Sequence, residues 1–262
     1  MKTLICIKPG EFNYGEKELP VLQKSHAIIK IKRIGICGTD LHAFEGTQPF
    51  FEYPRILGHE LAGELIEFDD APGFEKGETV SFIPYFKCGT CIACRNGLPN
   101  CCAAIKVCGV HVDGGFAEYL QVPSYALLHG EGLGFDELAL VEPLAIGAHS
   151  VRRAGVKKDE FVLVVGAGPI GLGIAEFARI AGGNVIVMDV NDKRLNFCAS
   201  KLKIAHTINP LKDDALEKLK DKTPEGIQQL LSVKGLGPKK IRVIWDARNL
   251  HSPAELLYAC AE

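Results

Sequence analysis

The stretch Phe161-Val162-Leu163-Val164-Val165-Gly166-Ala167-Gly168-Pro169-Ile170-Gly171 decides the architecture of the second half of the chain. Five apolar residues in an unbroken run are the pattern of a strand buried on both faces of a parallel sheet. Glycines at G-x-G-x-x-G follow, and then a helix with Ile170, Ile174, Phe177 and Ala181 on one stripe. A second strand, Val185-Ile186-Val187-Met188, ends in Asp189; a helix near Asp192–Ser200 and a short strand near Ile204–Ile208 complete a βαβαβ half. Because the glycines leave a strand and open a helix, each has a task. Gly166 permits the turn, Gly168 lets a pyrophosphate approach the backbone, and Gly171 lets helix and strand touch. Asp189 lies 18 residues beyond Gly171 (189 − 171), close to the ~20 expected of a ribose-binding carboxylate. A carboxylate there accepts hydrogen bonds from ribose hydroxyls and repels a 2′-phosphate, so NAD is expected over NADP; the competing role is a helix N-cap. Arg194 either lies alongside the adenosine or is a solvated helix residue.

The whole chain has 262 residues, one large domain or two ordinary ones at roughly 150 residues each. With 47% hydrophobic and 24% charged residues it can bury a core, and its net charge of −2 gives no general pull toward nucleic acid or membrane. No apolar run approaches the ~18 residues of a membrane span, and the short, charged start Met1–Pro9 is unlike a signal peptide. A cytoplasmic protein is expected. In that reducing setting the ten cysteines should not be paired, and five of them fall between Cys88 and Cys102, so metal is the expected reason.

Residues 1 to about 130 are β-rich. Ala27, Ile29 and Ile31 alternate with Lys30 and Lys32, and similar runs occur at Leu61–Phe68, Thr79–Ile83 and Glu118–Val122, the texture of a barrel or sandwich. Within this region Cys88, Cys91, Cys94 and Cys102 have the spacing C-x2-C-x2-C-x7-C. Four thiolates on a tight loop can close a tetrahedral Zn²⁺ and leave no position for substrate, so a structural zinc is expected there, with Cys101 spare. A second set is more open: Cys37, His59 and a carboxylate would leave one position free, as a catalytic zinc requires, although singly each is an ordinary residue.

Gly35-Ile36-Cys37-Gly38-Thr39-Asp40-Leu41-His42, Gly58-His59-Glu60, the four-cysteine lobe, Glu142-Pro143-Leu144-Ala145 and the glycine fingerprint occur together in this order. Over residues 1–215 the chain resembles the zinc-containing medium-chain dehydrogenase/reductase family, whose members include alcohol, sorbitol and threonine dehydrogenases. Thr47–Phe51 and Gly109–His111 look most like its polyol and sugar-acid branch. The resemblance implies an α/β plus β chain: a GroES-like β-barrel catalytic domain over 1–150, then a partial NAD-binding Rossmann domain over 151–215. It implies one catalytic and one structural zinc, NAD, and a secondary alcohol as hydride donor. Cys37 and His59 match the constant catalytic ligands; the third is Glu60, Glu142 or an exchange between them. Thr39 and His42 match a proton relay, and Asp40 matches a family position or only holds the turn. His26, His111, His129, His149, His206 and His251 are expected to be ordinary polar residues.

Residues 216–262 depart from that pattern. Thr223 and Pro224 suit a helix start, Gly235-Leu236-Gly237 a hairpin, and Pro238 a second helix with Lys239 and Lys240 nearby. This tail resembles the helix-hairpin-helix of X-family DNA polymerases, which implies weak, sequence-independent phosphate contact. The competing expectation makes Ile241–Ala247 a fourth Rossmann strand. With the foreign tail, the sheet would hold strands in order 3-2-1 with one edge unpaired, and turnover is expected to be poor. The alternative function is a non-catalytic zinc-bearing fusion whose tail contacts DNA. Oligomeric state stays open, because the second Rossmann half is not evident.

Overall fold

The computed structural model describes residues 1–49, 51–214 and Lys218. The helix-hairpin-helix expected over 216–262, with its possible DNA contact, lies outside the described residues. The chain divides into two compact units, Met1–Ala145 and Ile146–Glu262, a few residues before the expected 150/151 boundary.

The first unit is built on β1 (Lys2–Lys8), β2 (Glu11–Glu16), β3 (His26–Gly35), a helix α1 (Gly38–Glu45), β4 (Arg55–Ile56), β5 (Glu60–Phe68) and β6 (Thr79–Phe82). It continues through β7 (Tyr85–Phe86), α2 (Ile92–Arg95), β8 (Lys106–Val107), β9 (Tyr119–Pro123), β10 (Leu127–His129), α3 (Phe135–Ala139) and the start of α4 (Val141–Ala154). A five-stranded sheet runs β10-β6-β5-β3-β9, a three-stranded one β2-β1-β4, and β7 pairs with β8. The chain just before β9 stitches the two larger sheets together. Leu4 N–H donates to Phe116 O at 2.8 Å and Glu118 N–H to Lys2 O at 3.2 Å, while Ile31 N–H donates to Glu118 O at 2.9 Å. The alternation read in β3 holds in part: Ala27 and Ile29 are buried with Leu61, Leu65, Val80, Phe82, Leu120 and Val122, Ile31 packs against them and Lys30 is exposed, but Ile28 is buried as well and Lys32 is half-buried. Two bulges interrupt the β3–β5 ladder, between Ile28 and Ile29 and between Ile31 and Arg33, and beyond the second Gly35 stands opposite Glu60. Bulges re-aim side chains near functional sites, and here the re-aimed end of β3 leads straight into Cys37.

The second unit carries the rest of α4, then β11 (Phe161–Val165), α5 (Pro169–Ile180), β12 (Asn184–Met188), α6 (Asp192–Ser200) and β13 (His206–Ile208). The sheet order is β11-β12-β13 with parallel pairing throughout, Val162 opposite Val185 and Val187 opposite Thr207. Val164, Val185, Val187, Ala175, Ala178, Leu195, Cys198 and Ile204 form its core. One expectation fails. β11 is not buried on both faces: Val164 is 4% exposed, whereas Phe161, Leu163 and Val165 are 51%, 41% and 70% exposed. Among the described residues β11 pairs only with β12, and this core packs on the Val162 and Val164 side, so the alternate side chains stay only partly covered. No helix among the described residues is long and apolar enough to cross a membrane.

Candidate metal centres and dinucleotide loop

Cys37 is the residue from which α1 starts, with extended φ −85° and ψ 158°. Asp40, three residues on, turns back so that its carboxylate accepts Cys37 N–H at 2.9 Å, the acidic half of a capping arrangement. Its other oxygen accepts Gly58 N–H at 3.1 Å, so one buried side chain fastens the Cys37 turn to the residue before His59. Asp40 therefore holds the turn, as one of its two expected roles required. The segment before His59 is fixed from the other side as well: Gly114 N–H donates to Ile56 O at 2.7 Å, Phe116 N–H to Leu57 O at 2.9 Å and Gly115 N–H to Gly58 O at 3.0 Å. Gly58 adopts φ +94°, and a Cβ on it would strike the Phe116 ring at 2.5 Å.

These constraints bring Cys37, His59 and Glu60 together, with their ligand atoms all within 4.8 Å of one another. His59 and Glu60 are buried, and His59 Nδ1 is a buried nitrogen without a hydrogen-bond partner. An orphan of that kind costs about 1–3 kcal/mol. Burial pushes the carboxyls of Glu60 and Asp40 above their ordinary range. Burial works the other way on His59, but the Cys37 hydrogen bond and the Asp40, Cys37 and Glu142 charges outweigh it and leave the imidazole pKa raised. A cysteine sulfur, an imidazole and a carboxyl group, the last two buried and Cys37 half-buried, are a donor set that fits Zn²⁺ and leaves a fourth position.

Glu142 does not join that group. It lies in the first turn of α4 and accepts a hydrogen bond from Tyr85 Oη at 2.9 Å. The two carboxylates that the sequence leaves as alternatives are thus separated by the structure, Glu60 inside the cluster and Glu142 beside it. Thr39 Oγ1 lies 3.8 Å from Cys37 Sγ. His42, one turn further along α1 and exposed, has Nδ1 3.2 Å from Thr47 Oγ1 and 3.5 Å from Glu45 Oε2.

The lobe after β7 gathers Cys88, Cys91, Cys94 and Cys102, again within 4.8 Å of one another, and Cys101 stays outside, exposed. Cys88 accepts from Cys91 N–H at 3.4 Å, and Cys102 Sγ accepts from Cys88 N–H at 3.3 Å. The Thr90 and Cys91 N–H groups hold the Cys88 thiol down to about 6, which suits a thiolate ligand. The other histidines whose hydrogen bonds are described behave as ordinary polar residues: His26 meets Lys24 O, His111 accepts Val107 N–H, His129 pairs with Glu78, and His149 meets Arg152.

In the second unit the three fingerprint glycines behave as three different constraints. Gly166 has φ +96°; a Cβ on Gly171 would overlap Gly166 O; a Cβ on Gly168 would meet nothing within 4 Å. The open space at Gly168, at the N-terminus of α5, fits the approach of a pyrophosphate. Asp189 is 8% exposed, and its two oxygens accept Ala167 N–H at 2.6 Å and Asn191 N–H at 2.7 Å. It is not the N-cap of α6. Asn191 fills that position, its side chain accepting from Lys193 and Arg194 N–H. Arg194 is neither free nor solely solvated, since its guanidinium stands 3.7 Å from Asp189 Oδ2.

Comparison with known proteins follows the same division. Residues 23–131 match the alcohol dehydrogenase GroES-like domain and residues 169–249 the zinc-binding dehydrogenase domain, the second match including Ile241–Ala247. An L-threonine 3-dehydrogenase of Pyrococcus horikoshii is 35% identical over 252 residues, 92% of this chain and 71% of the relative. The chain belongs to the zinc-type alcohol dehydrogenase family. The L-galactonate-5-dehydrogenase of Escherichia coli (strain K12) is 47% identical over 218 residues, which cover 83% of this chain and 63% of that protein. A solved structure of an rspB alcohol dehydrogenase from Escherichia coli CFT073, complexed with NADH, superposes with a TM-score of 0.77 at 34% identity, covering 85% of this chain and 66% of that one. The chain thus spans less than two thirds of these two relatives.

Sequence reasoning named the residues that cluster but not the contacts that position them: Tyr85, the 109–116 strap and Gly35. A Cβ on Gly35 would come 2.7 Å from Glu60 Cβ and nearer still to its carboxylate. Gly35→Ala should therefore displace Glu60 and weaken metal at the Cys37 cluster about 10–100-fold, the range for changes behind a ligand, while metal at the four-cysteine lobe is retained. Metal stoichiometry after graded chelation checks both halves. Asp189 supplies a second prediction. The Ala167 N–H first, then the Asn191 N–H and Arg194, hold its carboxyl below the ordinary aspartate range. Because the folded value is depressed, its stabilisation is present at neutral pH and is lost as pH falls through that value. Asp189→Asn should lower stability by about 1–3 kcal/mol at pH 7, and urea midpoints of the two proteins should converge in acid.

Proposed function

We propose that the chain is a zinc-dependent oxidoreductase that passes a hydride from a secondary alcohol, a polyol or sugar acid, to NAD. The observation that carries this is the convergence of Cys37, His59 and Glu60 beside Thr39, with Glu142 kept out of the group. Cys37, His59 and Glu60 would hold the catalytic zinc; Cys88, Cys91, Cys94 and Cys102 would hold a structural one. Zinc in the three-ligand site would supply a Lewis acid that makes an alcohol oxygen acidic at neutral pH. The chain's own residues supply the rest. Thr39, 3.8 Å from Cys37 Sγ, would accept the alcohol proton, and the exposed His42, beside Glu45 and Thr47, would pass it to solvent. The Gly166–Gly171 turn would take the pyrophosphate, with the α5 N-terminus facing it.

Specificity for NAD would rest on Asp189. Its Oδ2 accepts Ala167 N–H and faces Arg194, while Oδ1 accepts only Asn191 N–H and would keep the freer lone pair for a ribose hydroxyl; its negative charge disfavours a 2′-phosphate. Arg194 would steady that carboxylate. The polyol and sugar-acid class is supported by the L-galactonate-5-dehydrogenase and by a sorbitol dehydrogenase of Bacillus subtilis (strain 168), 32% identical over 227 residues.

Two measurements test this reading. The purified chain should contain two zinc ions, and Cys91→Ser should remove the lobe's zinc while the Cys37 site keeps its own; unchanged zinc in that variant refutes the assignment. A chimera carrying this chain's first 214 residues, followed by the remaining part of a full-length relative, should oxidise polyols or sugar acids with NAD in preference to NADP. A chimera that binds zinc but uses neither alcohol class, or prefers NADP, overturns the functional claim.

A further inference from the structure

Asn209 follows directly on β13 and is buried, and each polar atom of its side chain has a partner. Nδ2 donates to Val190 O at 3.2 Å and to Asp192 Oδ1 at 2.6 Å, while Oδ1 accepts Leu211 N–H at 3.1 Å. The backbone is held as well: Asn209 N–H donates to Asp213 Oδ2 at 2.8 Å, and its carbonyl accepts Lys212 and Asp213 N–H at 2.9 and 2.8 Å. The amide can face only one way. Turned over, it would set its oxygen against Val190 O and Asp192 Oδ1, and its NH2 against Leu211 N–H.

The carbonyl that Asn209 holds belongs to the peptide joining Val190 to Asn191. The N–H at the other end of that same peptide donates to Asp189 Oδ1 at 2.7 Å. A trans peptide is planar, with C=O and N–H pointing in opposite directions, so fixing one end fixes the other. Asp189 Oδ2 is already engaged by Ala167 N–H at 2.6 Å and by Arg194 at 3.7 Å, which leaves Oδ1 as the oxygen with room for a ribose hydroxyl. Rotation of the 190–191 peptide would take the N–H away from Oδ1 and swing a carbonyl toward the carboxylate.

We propose that Asn209 is a positioning residue that fixes the 190–191 peptide and, through its N–H, holds Asp189 Oδ1 where a ribose 2′-hydroxyl is to bind. The proposal rests on the ribose-binding role put forward for Asp189 above and adds to it the residue that aims the carboxylate. An asparagine that only tied β13 to the start of α6 would matter equally for every ligand. One that aims Asp189 changes what the 2′-hydroxyl itself is worth, and a hydrogen bond to a carboxylate is worth roughly tenfold or more in affinity.

The test is calorimetric titration of the full chain with ADP and with 2′-deoxy-ADP, two diphosphates that differ only in that hydroxyl. The unaltered chain should bind ADP roughly tenfold tighter. Asn209→Asp keeps the shape of the side chain but removes both donors, and it should bring the ratio of the two affinities close to unity. The same substitution sets a second carboxylate against Asp192, which can cost the variant its fold. Adding Asp192→Asn to it relieves that repulsion, and the double variant should keep the low ratio because Val190 O still lacks its donor. An undiminished ratio in Asn209→Asp, or a full ratio in the double variant, overturns the proposal while leaving the role of Asp189 standing. Equal binding of ADP and 2′-deoxy-ADP by the unaltered chain removes the ribose role of Asp189 itself, and the proposal with it.

Discussion

The carboxylate of Asp40 is the joint on which the first unit's chemistry depends. One oxygen takes the N–H of Cys37 and the other the N–H of Gly58, so two turns far apart in sequence are drawn to a common point. Burying a carboxylate is costly, and burial does raise Asp40. The two N–H donors offset part of that cost, and nearby His59 contributes further. The charge is tolerated in the interior because the geometry it fixes cannot be had from apolar packing. A methyl-bearing side chain has no means of holding two backbone amides in register.

The two metal clusters solve the same problem by opposite routes. The four cysteines lie within fifteen residues, so their convergence needs little more than tight turns, and loop closure over so short a span is entropically cheap. Cys37, His59 and Glu60 instead come from the end of one strand's turn and the start of another, and their meeting depends on the β3–β5 register, the bulge before Arg33 and the 109–116 strap. The first arrangement is self-contained and closed. The second is held by the barrel and offers three donors rather than four, which would be the difference between a staple and a reactive centre.

That contrast also explains how much was legible beforehand. The four-cysteine lobe could be read from spacing alone, and α6 appears over Asp192–Ser200 as its pattern indicates, because both are local facts. The β3 alternation was legible too, until its bulges. What could not be read was tertiary. Glu60 and Glu142 are the same residue type, and only Gly35 on one side and Tyr85 on the other tell them apart. Tyr85 sits in a strand of two residues, too short to show any period. The exposed face of β11 failed for a related reason: an apolar run reports what a strand could bury, and burial depends on what lies across from it.

Asp189 shows how a single charge can serve the fold and the site together. A carboxylate free to rotate would bind ribose loosely, and one with all its lone pairs satisfied by the protein would not bind it at all. Here each oxygen is held by one backbone N–H, from Ala167 inside the glycine turn and from Asn191 just ahead of α6. The Ala167 bond ties the end of β12 to the turn after β11, so the element that would take the pyrophosphate and the one that would take the ribose are set relative to each other before any nucleotide arrives. Such preorganisation lowers the ordering cost of binding. It also means that a change of cofactor preference made at Asp189 alone disturbs the glycine turn as well, and that the residues around Ala167 and Asn191 must change with it.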